Sequence, residues 1–153
     1  MNDQQHYDIL LKRGTVIDPA HGLHQVMDVA LKDGKVAAFS PDPISAGAEH
    51  SLEVAGKLVV PGLIDLHTHA YKDVSVFGVE MDELCPRTGV TTAIDTGSAG
   101  HLSYRGLERY VIEPSQTRIL AYVNLSGVGL PSLRGELINP DYIDPAECDR
   151  CVL

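Results

Sequence analysis

Three scarcities bound what this 153-residue chain can be. Basic side chains are few: 12 Lys and Arg stand against 21 Asp and Glu, a net charge of −9 with the histidines neutral. Nucleic acid and anionic lipid are both held by Lys and Arg that neutralise phosphate, so neither a nucleic-acid nor a membrane partner is expected. Cysteine is sparse, and Cys85, Cys148 and Cys151 make an odd set from which no disulfide framework follows. No run approaches the roughly 20 apolar residues of a membrane span. The stretch Met1-Asn2-Asp3-Gln4-Gln5-His6 lacks the basic region of a signal peptide. The expected location is therefore the cytoplasm, with reduced thiols. At 44% apolar and 22% charged, the chain has the composition of a globular domain rather than a disordered segment.

Residues 7–60 read as short β segments broken by turn chemistry: Tyr7–Lys12, Thr15–Ile17, Met27–Lys32, Lys35–Ser40, Ser51–Val54 and Lys57–Val60. Asp33-Gly34 predicts a two-residue hairpin, because both residues tolerate the positive φ of a type I′ turn. Asp42–Ala48, rich in Pro and small residues, reads as a loop. The pattern changes at Leu58. Beyond Pro61-Gly62, the run Leu63-Ile64-Asp65-Leu66-His67 suits a strand buried on both faces of a parallel sheet. A helix is expected over Gly78–Thr88, capped by Gly89, then a β-branched strand at Val90–Asp95. A second helix over Tyr104–Ile112 is stopped by Pro114, and Arg118–Leu125 reads as a third strand. Alternating strands and helices imply right-handed crossovers and a parallel α/β sheet.

His67 and His69 carry the chemistry. Two histidines at i, i+2 on extended backbone point to one side, so both imidazoles can meet one metal ion. The bland alternative is a satisfied or exposed pair. Placement at the C-terminal end of an apolar strand favours the metal, since catalytic groups of α/β barrels and open sheets gather there. Asp65 reads either as a carboxylate that orients a metal ligand or as a partner of local backbone. Asp95 ends its strand facing the same mouth, or serves the following loop as an Asx-turn residue. His101, just beyond the Gly97–Gly100 loop, reads either as reaching the mouth or as a solvent-exposed loop histidine, and His21 and His24 read as exposed turn residues. The Cys148-x-x-Cys151 spacing lacks a second pair and reads as chance. The glycines of Gly97-Ser98-Ala99-Gly100 lack phosphate-cradle spacing and read as close backbone packing.

The segment Val59-Val60-Pro61-Gly62-Leu63-Ile64-Asp65-Leu66-His67-Thr68-His69 resembles the first barrel strand of the amidohydrolase superfamily. The stretches Thr88–Gly100 and Tyr110–Ser115 resemble its dihydroorotase-like amidohydrolase/deacetylase branch in particular. The resemblance implies an α/β protein in which a small N-terminal β-sandwich-like domain (1–60) precedes the first three units of a (β/α)8 barrel (61–153). It further implies one or two divalent metals, usually zinc, with His67 and His69 as ligands of the more buried ion. A carboxylated lysine, two histidines and an aspartate would come from later strands, so the catalytic residues fall beyond Leu153. Dihydroorotases usually carry an arginine two residues after the second histidine; here that position is Tyr71. Tyrosine cannot make the bidentate, charge-assisted grip of a guanidinium on carboxylate. Tyr71 is thus a candidate substrate contact, and an N-acyl amide or related ester is expected in place of dihydroorotate. A small acylated molecule is the implied partner, and a homo-oligomer is expected of the complete protein.

Length conflicts with a closed barrel, which takes about 250 residues or roughly 31 per unit. From Pro61 onward there is room for about three such units. The expectation is a truncated chain that is inactive alone, with Ile119–Val123 an apolar edge in need of cover. The alternatives are a non-catalytic remnant that folds only against a partner, or a self-associating scaffold of the same superfamily.

Overall fold

The computed structural model describes residues 6–132 and 137–152. The N-terminal reading over Met1–Gln5 and the terminal Leu153 lie outside them. The chain divides between Pro61 and Gly62 into two compact units. Among the described residues no helix is long and apolar enough to cross a membrane.

The first unit is built on β1 (Tyr7–Asp18), β2 (Leu23–Lys32), β3 (Lys35–Ser40), β4 (Ala48–Glu53) and β5 (Leu58–Val59). The two segments read at Tyr7–Lys12 and Thr15–Ile17 are one strand interrupted by a bulge, where the pairing with β2 shifts register between Leu11 and Gly14. Arg13 takes φ 60° there, and its N–H donates to Asp28 Oδ1 at 2.9 Å. Strand order is β3-β2-β1-β4, with β5 also on β1. The first half of β1 pairs with β4, the second with β5, both parallel. A bulge bends and twists its strand, so one strand serves two neighbours, and the described residues of this unit form a single sheet rather than the expected sandwich-like layering. The sheet carries apolar clusters on both faces. Leu10 and Ala30 lie in one, Val16, Met27 and Val29 in the other, and the neighbours Val29 and Ala30 necessarily point to opposite sides. The β2–β3 turn is as expected, with φ 51° at Asp33 and 69° at Gly34.

The second unit runs β6 (Leu63–Thr68), α1 (Met81–Thr88), β7 (Val90–Asp95), α2 (Tyr104–Leu107), β8 (Arg118–Ala121) and α3 (Pro145–Val152). The three strands form one parallel sheet in the order β6-β7-β8. Met81 and Cys85, four apart on α1, pack on Ala93 of β7 and Ile119 of β8. Gly89 caps α1 with φ 75° and its N–H donates to the Cys85 carbonyl. The second helix keeps its expected bounds, α-helical as α2 over Tyr104–Leu107 and π-helical over Glu108–Ile112. The third strand stops early, at Ala121. Beyond it, Asn124 N–H donates to the Ala99 carbonyl and its side-chain amide to the Gly97 carbonyl, so the chain leaves the ladder to bind the loop after β7. Asp144 caps α3, accepting from the N–H groups of Ala146 and Glu147.

One expectation is corrected. β6 was read as buried on both faces, yet Leu63, Ile64 and Leu66 are 50%, 58% and 68% exposed. The strand pairs on one side only, with β7, and a hydrophobic run is buried only as far as neighbours exist to cover it.

Candidate metal half-site

The C-terminal ends of three parallel strands converge on one residue. Asp95, at the end of β7, is fully buried. Its Oδ1 accepts from the N–H groups of Gly97 at 3.0 Å and Ser98 at 2.6 Å, and its Oδ2 from Ala70 N–H at 2.6 Å. Its own carbonyl accepts from Tyr122 N–H at 2.9 Å, just past β8. The Asx-turn role and a role beside the histidines therefore coincide: one carboxylate shapes the loop after β7 and holds the backbone that follows His69.

His67 lies in β6 and His69 just beyond it. Their ring centroids are 5.7 Å apart with planes inclined at 76°, so both rings project to one side as their spacing requires. Two imidazoles sharing one tetrahedral ion at Zn–N distances of about 2.0–2.1 Å bring their ring centres to roughly 5 Å. The observed pair fits such an ion with a small adjustment. His67 is exposed and His69 half-buried. The His69 ring rests near Phe77, at 5.6 Å between centroids, and its Nδ1 lies 3.0 Å from Ser98 Oγ. Backbone on both sides of His69 is tied down. The Thr68 carbonyl accepts from Thr96 N–H, and the His69 carbonyl from Val79 N–H, both at 2.9 Å.

Asp65 Oδ1 accepts from the N–H of His67 at 3.0 Å, an exposed bond. The Tyr71 hydroxyl is seated over Gly106 of α2, where any Cβ would collide with it. His101 is half-buried rather than free in solvent, with Nδ1 enclosed and without a hydrogen bond. Cys148 Sγ faces the Asn124 carbonyl at 3.5 Å, and burial pushes its thiol pKa up. His21 Nδ1 meets Asp18 Oδ2 at 2.6 Å in an exposed pair. No group of three or more His, Cys, Asp or Glu that could hold a metal occurs among the described residues. A catalytic zinc wants about three protein ligands plus water, and His67 and His69 by themselves do not make such a set.

Two residues of this region escape a reading by motif. Ser98 was absorbed into a glycine-rich loop, although its place three residues after Asp95 is that of a backbone N–H offered to an Asx acceptor. Asp82, on the first turn of α1, accepts from Ser115 Oγ, Gln116 N–H and Thr117 N–H, clamping the entry to β8. Those three bonds hold its carboxyl at a pKa of about 2, the Gln116 N–H having the largest effect.

No family model matches the chain. A solved dihydroorotase superposes with a TM-score of 0.81 at 31% identity, over 94% of this chain and 38% of its own. The chain is similar to part of curated deacetylases and dihydroorotases. A deacetylase of Agrobacterium fabrum is 36% identical over 98 residues, or 64% of this chain, and a dihydroorotase of Syntrophotalea carbinolica is 48% identical over 61, or 40% of it. The matches cover 24% and 14% of those two enzymes, so this chain spans about a quarter or less of each. The relatives are hydrolases, and the shared fold is mixed α/β.

Proposed function

We propose that this chain is the metal-binding N-terminal part of a hydrolase acting on a carbon–nitrogen N-acyl bond or a related ester. His67 and His69 would hold a divalent ion, zinc by the chemistry of two imidazoles. The observation that carries the reading is the ring pair at 5.7 Å on the C-terminal end of β6, within a fold shared with amidohydrolases. When bound, such an ion lowers the pKa of water and polarises an acyl carbonyl. The rest of the work of these residues is positional. Asp95 fixes the backbone after His69, Ser98 abuts its ring, and Phe77 blocks one side of it. The remaining ligands and the proton-transferring group would come from other strands of a complete barrel, and the acyl substrate would lie over the strand ends.

Equilibrium dialysis of the 153-residue chain against zinc tests the metal step. The expected result is zinc retained by the chain and lost with His67→Ala or His69→Ala. Equal retention by the variants, or none by the unmodified chain, would overturn it.

The exposed apolar residues of β6 and β8 favour a second reading, a non-catalytic piece that needs a covering partner. Leu66 of β6 is 68% and Leu120 of β8 45% exposed beside open sheet edges. It requires that the chain alone show no hydrolysis of N-acyl substrates; turnover abolished by a chelator would rule it out.

A further inference from the structure

We infer that Ser98 is a positioning residue that selects Nε2 of His69 as the metal-facing nitrogen. The inference rests on the metal reading above. An imidazole offers two nitrogens, and the hydrogen bond made by one decides which is left for a metal. In this structure Nδ1 of His69 lies 3.0 Å from the hydroxyl of Ser98, 29 residues away, and is turned to that oxygen.

Ser98 is suited to the task because it is buried and its backbone is held at two points. It is 1% exposed. Its N–H donates to Asp95 Oδ1 at 2.6 Å, and its carbonyl accepts from Leu130 N–H at 3.0 Å. The same Asp95 carboxylate takes the N–H of Ala70 at 2.6 Å. One buried group therefore fixes the backbone that carries the hydroxyl and the backbone that carries the imidazole. Phe77 against the ring limits its rotation. With the hydroxyl accepting from Nδ1–H, the lone pair of Nε2 is the one available to an ion. Ser98 touches neither ion nor substrate in this scheme and acts only through His69.

The test uses the full 153-residue chain with 15N-labelled histidine and zinc as the probe. In the zinc-loaded chain, the metal-bound nitrogen of His69 is expected to be Nε2, and Nδ1 is expected to carry a proton in slow exchange. Ser98→Ala should abolish that slow proton and weaken zinc binding about tenfold, measured by competition with a chromogenic chelator. Zinc held through Nδ1 of His69 in the unmodified chain would overturn the inference without any variant. So would a Ser98→Ala chain that keeps both the slow proton and the original affinity. If the unmodified chain takes up no zinc, the metal reading fails and this inference with it. The two failures are thus told apart by the unmodified chain.

Discussion

Replacing Asp95 by Asn tests how much of the second unit hangs on one carboxylate. Asp95 is fully buried and accepts three backbone N–H bonds, two on Oδ1 and one on Oδ2. A carboxamide of the same shape has a single acceptor. With its oxygen toward Gly97 and Ser98, two bonds survive in weaker, uncharged form, while the NH2 faces Ala70 N–H donor against donor. Turned the other way, it keeps one bond and orphans two. A hydrogen bond to a charged group contributes about 1.5–3 kcal/mol net, and an unsatisfied buried donor costs about 1–3 kcal/mol. The expected loss is therefore about 2–4 kcal/mol, smaller than that sum because the loop relaxes. Urea unfolding followed by tyrosine fluorescence measures it, since there is no tryptophan and five of the six tyrosines, all but Tyr7, lie beyond Pro61. Asp65→Asn is the control, its one exposed bond to His67 N–H being one that an amide oxygen also makes. It should shift stability by no more than about 0.5 kcal/mol. An Asp95→Asn loss as small as the control's would refute the clamp.

Two further outcomes follow from the same unit. Asp82, with its pKa depressed to about 2, contributes stability that is complete above the ordinary carboxylate value of 3.8 and is lost as pH falls through about 2. That contribution is about 1–2 kcal/mol once partial solvent screening is allowed for. The stability gap between the natural chain and Asp82→Asn should shrink between pH 5 and pH 2, and a gap constant with pH would contradict it. Gly106→Ala sets a methyl against the Tyr71 hydroxyl, a clash of about 1–3 kcal/mol that the roughly 1 kcal/mol gained by alanine over glycine in a helix partly offsets. Adding Tyr71→Phe removes the colliding oxygen and should restore most of the loss in a double-mutant cycle; strict additivity would show that the two do not meet.

What could be read from the chain alone was local. Asp33-Gly34 and Gly89 announce themselves because a positive φ is a demand on one or two residues. His67 and His69 share a side because strand geometry fixes it. The misses are interactions closed over distance or set by neighbours. The bulge at Arg13 is anchored on Asp28, the turn before β8 on Asp82, and the ring of His69 on Ser98, and no window of sequence contains both partners. β8 ends early because Asn124 bonds to the loop after β7, although Tyr122-Val123 reads as strand. The apolar run of β6 looks the same whether or not a second neighbour exists, so composition anticipated burial where the sheet leaves an edge.

The strand order has a directional consequence. β7 and β8 lie successively to one side of β6, and right-handed crossovers would lay each later strand beyond β8. In a barrel assembled that way, the free edge of β6 is the seam where the ring finally shuts. The histidine pair stands on the strand that forms one lip of that seam. A ring left open at the seam leaves the imidazoles at its margin, while a closed ring surrounds them with the ends of other strands.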